Sequence, residues 1–103
     1  MTYNDFKAEK ARLMGKIDVK RVELSALRAE RSFYSSLQSE DPETYYKYLD
    51  RLNDTSSDLF ALEASLGALI ATYAEEKEKE RKEREEEANQ ADAKPPIDLF
   101  AFY

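Results

Sequence analysis

The fold is decided by residues 45–73, YYKYLDRLNDTSSDLFALEASLGALIATY. Leucine and tyrosine recur there at steps of three and four residues, the spacing that keeps one seam of a helix facing a partner helix. The stripe comprises Tyr45, Leu49, Leu52, Ser56, Leu59, Leu62, Leu66, Leu69 and Tyr73. We therefore predict a helix that packs on other helices through this stripe, as a core or an oligomer contact.

The composition indicates an all-α protein. Only 2 glycines and 3 prolines occur among 103 residues, and this scarcity of turn-forming residues favours a few long helices over a sheet. We predict a long antiparallel helical hairpin or coiled coil over residues 1–90. Because two helices bury only one face each, we expect the hairpin to self-associate into a bundle. Residues 91–103 are predicted to form a linker and an extended C-terminal tail.

One short link separates the two predicted helices. Asp41 is a favourable N-cap, and Pro42 suits the first position of a helix. The first helix is therefore predicted at about 4–38 and the second at about 42–88. Helices joined by so short a link normally become antiparallel neighbours.

The polar run at 53–58, NDTSSD, leaves two interpretations of the second helix open. These residue types compete with helix through side-chain hydrogen bonds to the backbone, which favours a break near 53–57 and three helices in all. The stripe nevertheless continues through the run with Ser56 in phase, which favours one long helix, bent at this point.

Cysteine and histidine are both absent, and their absence limits the chemistry of the chain. It excludes disulfides, thiolate or imidazole metal sites, a cysteine nucleophile and a histidine base. The sequence also lacks a phosphate-binding loop and a nucleophile motif. We therefore expect no enzyme, no catalytic residue, no metal site and no cofactor. Since no signal peptide or transmembrane segment is recognised, we expect a cytoplasmic protein that does not bind a membrane.

Charge is distributed unevenly along the chain, whose net charge is −6. Residues 1–40 carry 8 basic and 6 acidic side chains, a balance of +2, whereas residues 41–74 carry 2 and 6, a balance of −4. The basic residues form no dense stripe, and the acidic total repels phosphate, so the pattern argues against nucleic-acid binding. The acidic second helix is a candidate surface for a protein partner.

Five aromatic residues lie close to the predicted link between the helices. They are Phe33, Tyr34, Tyr45, Tyr46 and Tyr48. A tyrosine buries a large ring while it keeps a polar group available. The cluster is therefore either a plug for the end of the hairpin or an aromatic binding surface.

The tail at 97–103, IDLFAFY, is the clearest candidate for binding a partner. Its large apolar side chains follow a charged run and two prolines. We expect an apolar segment of this kind to be buried against another surface. The candidate binding residues are Ile97, Leu99, Phe100, Phe102 and Tyr103. The tail either folds back on its own bundle, packs on another copy, or docks into a different protein as a short peptide.

Ile97-Asp98-Leu99-Phe100 resembles the end of the peptide with which bacterial proteins bind the DNA polymerase sliding clamp, typically Gln, Leu, Ser or Asp, Leu, Phe. Pro96 stands where that peptide has glutamine. The resemblance covers four of the 103 residues. It implies recruitment to a sliding clamp through the tail.

These features predict a non-enzymatic interaction protein of the assembly, scaffold or adaptor type. We expect it to oligomerise through the helical stripe and to dock another protein through the tail. Small acidic helical proteins of this build occur among viral assembly factors, and the comparison with them is an analogy at the level of the fold. The alternative is a small acidic regulatory inhibitor, for example a viral one, that binds a host protein through its second helix.

Overall fold

The computed structural model describes the backbone of residues 1–100 and the side chains of residues 1–90. Every regular element in that range is helical. The elements are α1 (Tyr3–Ala29), α2 (Arg31–Ser36) and α3 (Pro42–Phe100). The predicted all-α class is confirmed.

The structure divides the first predicted helix, about 4–38, into α1 and α2. At Glu30, between them, ψ is 2°, outside the helical range of about −20 to −70°. Arg31 follows Leu27 by four residues, a heptad step, but its side chain is exposed, so burial of that side chain does not hold the helix straight there. The local turn instead brings Tyr34 onto Tyr48, with ring centroids 4.3 Å apart.

The second helix begins where the sequence predicts, at Pro42. Asp41 caps it, because its Oδ1 accepts the Thr44 N–H at 3.3 Å and its Oδ2 accepts the Thr44 hydroxyl at 2.7 Å. These two hydrogen bonds lower the pKa of the Asp41 carboxyl below its ordinary value.

The helix α3 is continuous through residues 53–57, so the interpretation with one long helix is confirmed at this point. Asn53, Asp54 and Ser57 are exposed, and water there competes with the backbone for their side-chain hydrogen bonds. Thr55 is buried instead. Packing on that side holds the helix together through the polar run.

The assigned end of α3 is Phe100, whereas the sequence predicts an end near 88 followed by an extended segment. Alanine, which recurs at 88, 91 and 93, favours helix. The side chains of the predicted linker and tail, residues 91–103, lie outside the described ones. The binding role of the tail stays a prediction.

The chain divides into two compact units, Met1–Ile70 and Ala71–Tyr103. In the first unit, the residues of α1 and α3 that contact each other follow an antiparallel order. The Tyr48 hydroxyl donates to the Leu27 carbonyl at 2.5 Å, and Arg21 Nη2 lies 3.1 Å from Glu63 Oε1. Residue numbers therefore rise along α1 as they fall along α3.

One face of α1 supplies most of the buried side chains in the described residues. Leu13, Ile17, Leu24 and Leu27 are all buried, at heptad spacing with Lys20 in the intervening position. Lys20 is half-buried, since a lysine can lay its methylene groups on an apolar surface and keep its ammonium in water.

The buried face of α3 differs from the predicted stripe at two positions. Tyr48 is 4% exposed and Thr55 is 5% exposed, so each is more deeply buried than the half-buried stripe residue that follows it, Leu49 or Ser56. With this change the face steps regularly by four and three residues. It comprises Tyr48, Leu52, Thr55, Leu59, Leu62, Leu66 and Leu69.

The second unit has described side chains from residue 71 to 90, and several of them form ion pairs along the helix. Arg81 bonds to Glu78 and to Glu85, three and four residues away, and such pairs stabilise a solvent-exposed helix. Lys77 Nζ lies 5.3 Å from the centroid of the Tyr73 ring. None of the helices, over the residues described, has an apolar stretch long enough to cross a bilayer.

Replacing Thr55 by valine should raise the free energy of unfolding by about 1 kcal/mol, because the branched shape is kept and a hydroxyl is removed from an apolar face. Chemical denaturation measures this change. The matched control is Ser57→Val, an exposed site in the same helix, for which we expect a change within about 0.5 kcal/mol. A loss of stability in the Thr55 variant would contradict the revised face of α3.

Replacing Asp41 by alanine should lower the thermal midpoint at pH 7 by about 5 °C, because α3 loses its cap. A carboxyl with a lowered folded-state pKa stabilises the fold above its unfolded pKa, and this contribution is lost as the pH falls through the folded value. The difference from the wild type should therefore shrink below about pH 4. An equal difference at pH 7 and pH 2.5 would contradict this origin of the cap's effect.

Candidate interaction surface

The stripe that the sequence predicts for oligomerisation is partly covered within a single chain. Its leucines are half-buried rather than exposed: Leu49, Leu52, Leu59, Leu62, Leu66 and Leu69. Tyr73 belongs to the second unit and is half-buried as well. Leu66 lines one groove together with Ile17 of α1. Any further partner of the first unit must therefore contact the faces that flank this stripe.

One flanking face carries a groove with a glycine in its lining, which we call the Gly67 groove. Its volume is about 360 Å³. Its walls are apolar, with Met14 and Ile17 from α1 and Leu66, Gly67 and Ile70 from α3. Three charged residues complete its lining: Asp18, Arg21 and Glu63.

Large apolar side chains stand exposed around the Gly67 groove. Phe60 is 75% exposed and Val22 is 69% exposed. Phe60 precedes Gly67 by seven residues, or two helical turns, so both lie on one face of α3. Met14 and Ile70 on the groove walls are exposed as well. Exposed apolar side chains grouped beside a groove are typical of interaction sites in proteins.

A second groove, the Gly15 groove, lies on the other side of the α1–α3 contact. Its volume is about 680 Å³, and its apolar lining is Ala11, Gly15, Val19, Ala61 and Leu62. Arg12, Lys16, Lys20 and Asp58 form its charged lining.

The basic residues of the Gly15 groove are largely compensated by neighbouring carboxylates. Arg12 is ion-paired with Glu9, and this bond lowers the pKa of the Glu9 carboxyl. Lys20 Nζ lies 3.3 Å from Glu23 and 3.4 Å from Asp58, which raises its pKa. The rim therefore offers little net charge to a ligand.

The two grooves share a feature that packing within the chain does not require. A Cβ atom placed on Gly15 or on Gly67 would meet nothing within 4 Å. Glycine inside a helix costs about 1 kcal/mol relative to alanine. Both glycines therefore leave open space on the surface at an energetic cost to the helix.

The aromatic cluster near the link is divided by the structure into an internal and an exposed part. Tyr34 and Tyr48 stack with their ring planes 6° apart, and the Tyr48 hydroxyl bonds to the Leu27 carbonyl. These two rings close the end of the α1–α3 contact. Phe33 and Tyr46 remain exposed, and Tyr45 is half-buried.

In the part of the chain with described side chains, no group of three or more metal-ligating side chains occurs. The carboxyls with shifted pKa values are Glu9, Asp41 and Glu78, and hydrogen bonds lower all three values. A general acid requires the opposite shift.

The predicted tail residues cannot be placed at this surface. The side chains of Ile97, Leu99 and Phe100 and the whole of Phe102 and Tyr103 lie outside the described residues. The clamp-binding resemblance at 97–100 is likewise left as a prediction.

No family model matches this chain, and no curated protein or solved structure matches it either.

Replacing Tyr48 by phenylalanine should lower the free energy of unfolding by about 1 kcal/mol, because the Leu27 carbonyl loses a buried hydrogen-bond donor while the ring stack is kept. Tyr46→Phe is the matched control, since that exposed tyrosine lies two residues away in the same helix. Equal unfolding midpoints for the two variants would show that the buried hydroxyl contributes nothing.

Proposed function

We propose that this protein is a non-enzymatic helical interaction module of the assembly, scaffold or adaptor type. In this proposal α1 and α3 form an antiparallel hairpin, and hairpins self-associate into a small bundle. The tail at 97–103 is then available to dock a different protein.

The observation that carries the proposal is the amount of exposed apolar surface on the first unit. Met14, Val19, Val22, Phe60 and Ile70 are all exposed. Single exposed apolar side chains are ordinary in soluble proteins, but several beside the two grooves of a two-helix unit favour association.

The thinness of the core supports the same conclusion. The buried apolar side chains in the described residues are Leu13, Ile17, Leu24, Leu27 and Tyr48. None is less than 2% exposed, because two helices cover only one face of each other. Association of hairpins adds the buried area that a two-helix unit lacks.

In this proposal the surface used for association differs from the one that the sequence indicated. The leucine stripe of α3 is directed at α1, so the flanking faces with the two grooves are the surfaces left for a partner. Sequence alone supports the docking role of the tail, through its apolar residues and the clamp-like Ile97–Phe100.

The molar mass in solution tests the proposal. Size-exclusion chromatography with light scattering should give at least twice the mass of one copy for two proteins, the full chain of 11.9 kDa and a lighter variant that ends at Gln90. The variant keeps both flanking faces, so its mass should fall only by the deleted residues of each copy. A mass of one chain for both proteins, at concentrations up to about 100 µM, would contradict self-association.

A monomeric variant beside an oligomeric full chain would give a different result. It would assign assembly to residues 91–103, and the docking role of the tail on a different protein would lose its support.

A further inference from the structure

We infer that two copies of this chain pair through α3, with Phe60 of each copy seated in the Gly67 groove of the other. This inference rests on the proposed self-association and specifies its surface and register.

The first step is the match between a protruding ring and an open groove. Phe60 has the highest exposure, 75%, among the large apolar side chains of the described residues. The Gly67 groove has a volume of about 360 Å³. An apolar cavity of ~150 Å³ already holds a benzene ring, so the groove has room for a phenyl ring.

The second step is symmetry. Phe60 and Gly67 lie on one face of α3, seven residues and therefore about 10 Å apart along the axis. If two α3 helices pair antiparallel, with a two-fold axis between residues 63 and 64, both rings meet both grooves at once. An interface of this isologous kind is closed, because each copy supplies the same patch.

The third step is the open space at Gly67. A Cβ there would touch nothing in the chain itself, so the absence of a side chain serves no contact within one copy. In the pair, that absence lets a partner ring approach the backbone of α3. This explains why glycine, rather than a better helix former, occupies the position.

The fourth step is charge complementarity near the two-fold axis. Glu63 is the charged residue next to the axis, and two bare carboxylates there would repel. Arg21 Nη2 lies 3.1 Å from Glu63 Oε1 in each copy. The charge of each Glu63 is therefore already paired with an arginine of its own copy when the two Glu63 side chains meet. Two such pairs place positive and negative groups alternately across the interface.

The fifth step is area. A phenylalanine buries 150–250 Å², so two rings supply about 400 Å² of the roughly 1,200 Å² that a specific interface buries. Exposed Met14 and Ile70 form walls of the groove, and Val22 lies one turn after Asp18 on the same side of α1. These three side chains from each copy extend the contact around the rings.

The Gly15 groove is less suited to this role. The exposed apolar side chains on its face are two valines, Val19 in its lining and Val22 seven residues after Gly15, and no protruding ring of the described residues accompanies them. It therefore serves as the matched control surface.

The experiment compares the dimer dissociation constants of four full-length proteins by light scattering and sedimentation. They are the wild type, Phe60→Gln, Gly67→Gln and the control Gly15→Gln. We expect the Phe60 and Gly67 variants to raise the dissociation constant at least about 100-fold, because each change acts twice in a two-fold interface. The Gly15 variant should dimerise like the wild type.

Both glycine sites have open space for a side chain, and Phe60 is exposed, so the four monomers should keep the same helix content by circular dichroism. A loss of helix in one variant would remove it from the comparison.

A cross-link at Ala64 then decides the register, since the chain has no native cysteine. Ala64→Cys should be joined to its mate by a short bis-maleimide, whereas Ala26→Cys on α1 should not.

The outcomes separate this inference from the broader proposal. A monomeric wild type would overturn both. An oligomeric wild type with unchanged association of Phe60→Gln, of Gly67→Gln or of both would overturn the pairing of ring and groove and leave self-association standing. Preferential cross-linking at Ala26 rather than Ala64 would overturn the register.

Discussion

The fold of the first unit depends on one contact, in which the buried face of α1 lies along the heptad face of α3. Leu13, Ile17, Leu24 and Leu27 supply the α1 side, and the regular steps from Tyr48 to Leu69 supply the other. Burial of these side chains is the main favourable free energy available to a chain with no disulfide. The Asp41 cap and the stacked pair of Tyr34 and Tyr48 act at the end of this contact, where the chain reverses.

The same contact explains the surface that the protein presents. Two helices that bury one face each leave their flanks in water, and on this chain the flanks carry exposed Val22 and Phe60 and two grooves over glycine. Ion pairs such as Arg21–Glu63 bridge the helices beside the grooves. Self-association through these flanks is our proposal, and it assigns a use to apolar groups and glycines that the single chain leaves without contacts.

Much of the fold could be predicted from the sequence, because its signals are strong and local. Few turn-forming residues and a long heptad pattern predicted helices, and Asp41-Pro42 fixed the start of α3. The positions of Thr55 and Tyr48 on the buried face of α3 were not predicted, although Tyr48 was predicted as part of the aromatic cluster. Thr55 is polar and Tyr48 precedes a leucine, so the heptad pattern was assigned to their neighbours. Strict steps of four and three, counted back from Leu69, would have found both.

The turn at Glu30 follows from tertiary packing, which leaves Arg31 exposed and brings Tyr34 onto Tyr48. The flanking grooves could not be predicted, because they arise only when two helices lie side by side.

The most direct test of this account is residue-level amide hydrogen exchange measured by NMR. If α1 and α3 protect each other, amides near Ile17 and Leu24 should exchange as slowly as those near Leu59 and Leu62, because one cooperative opening exposes them all. Fast exchange throughout α1, at the rates of an isolated helix, beside slow exchange in α3 would contradict the claim that their contact holds the fold together.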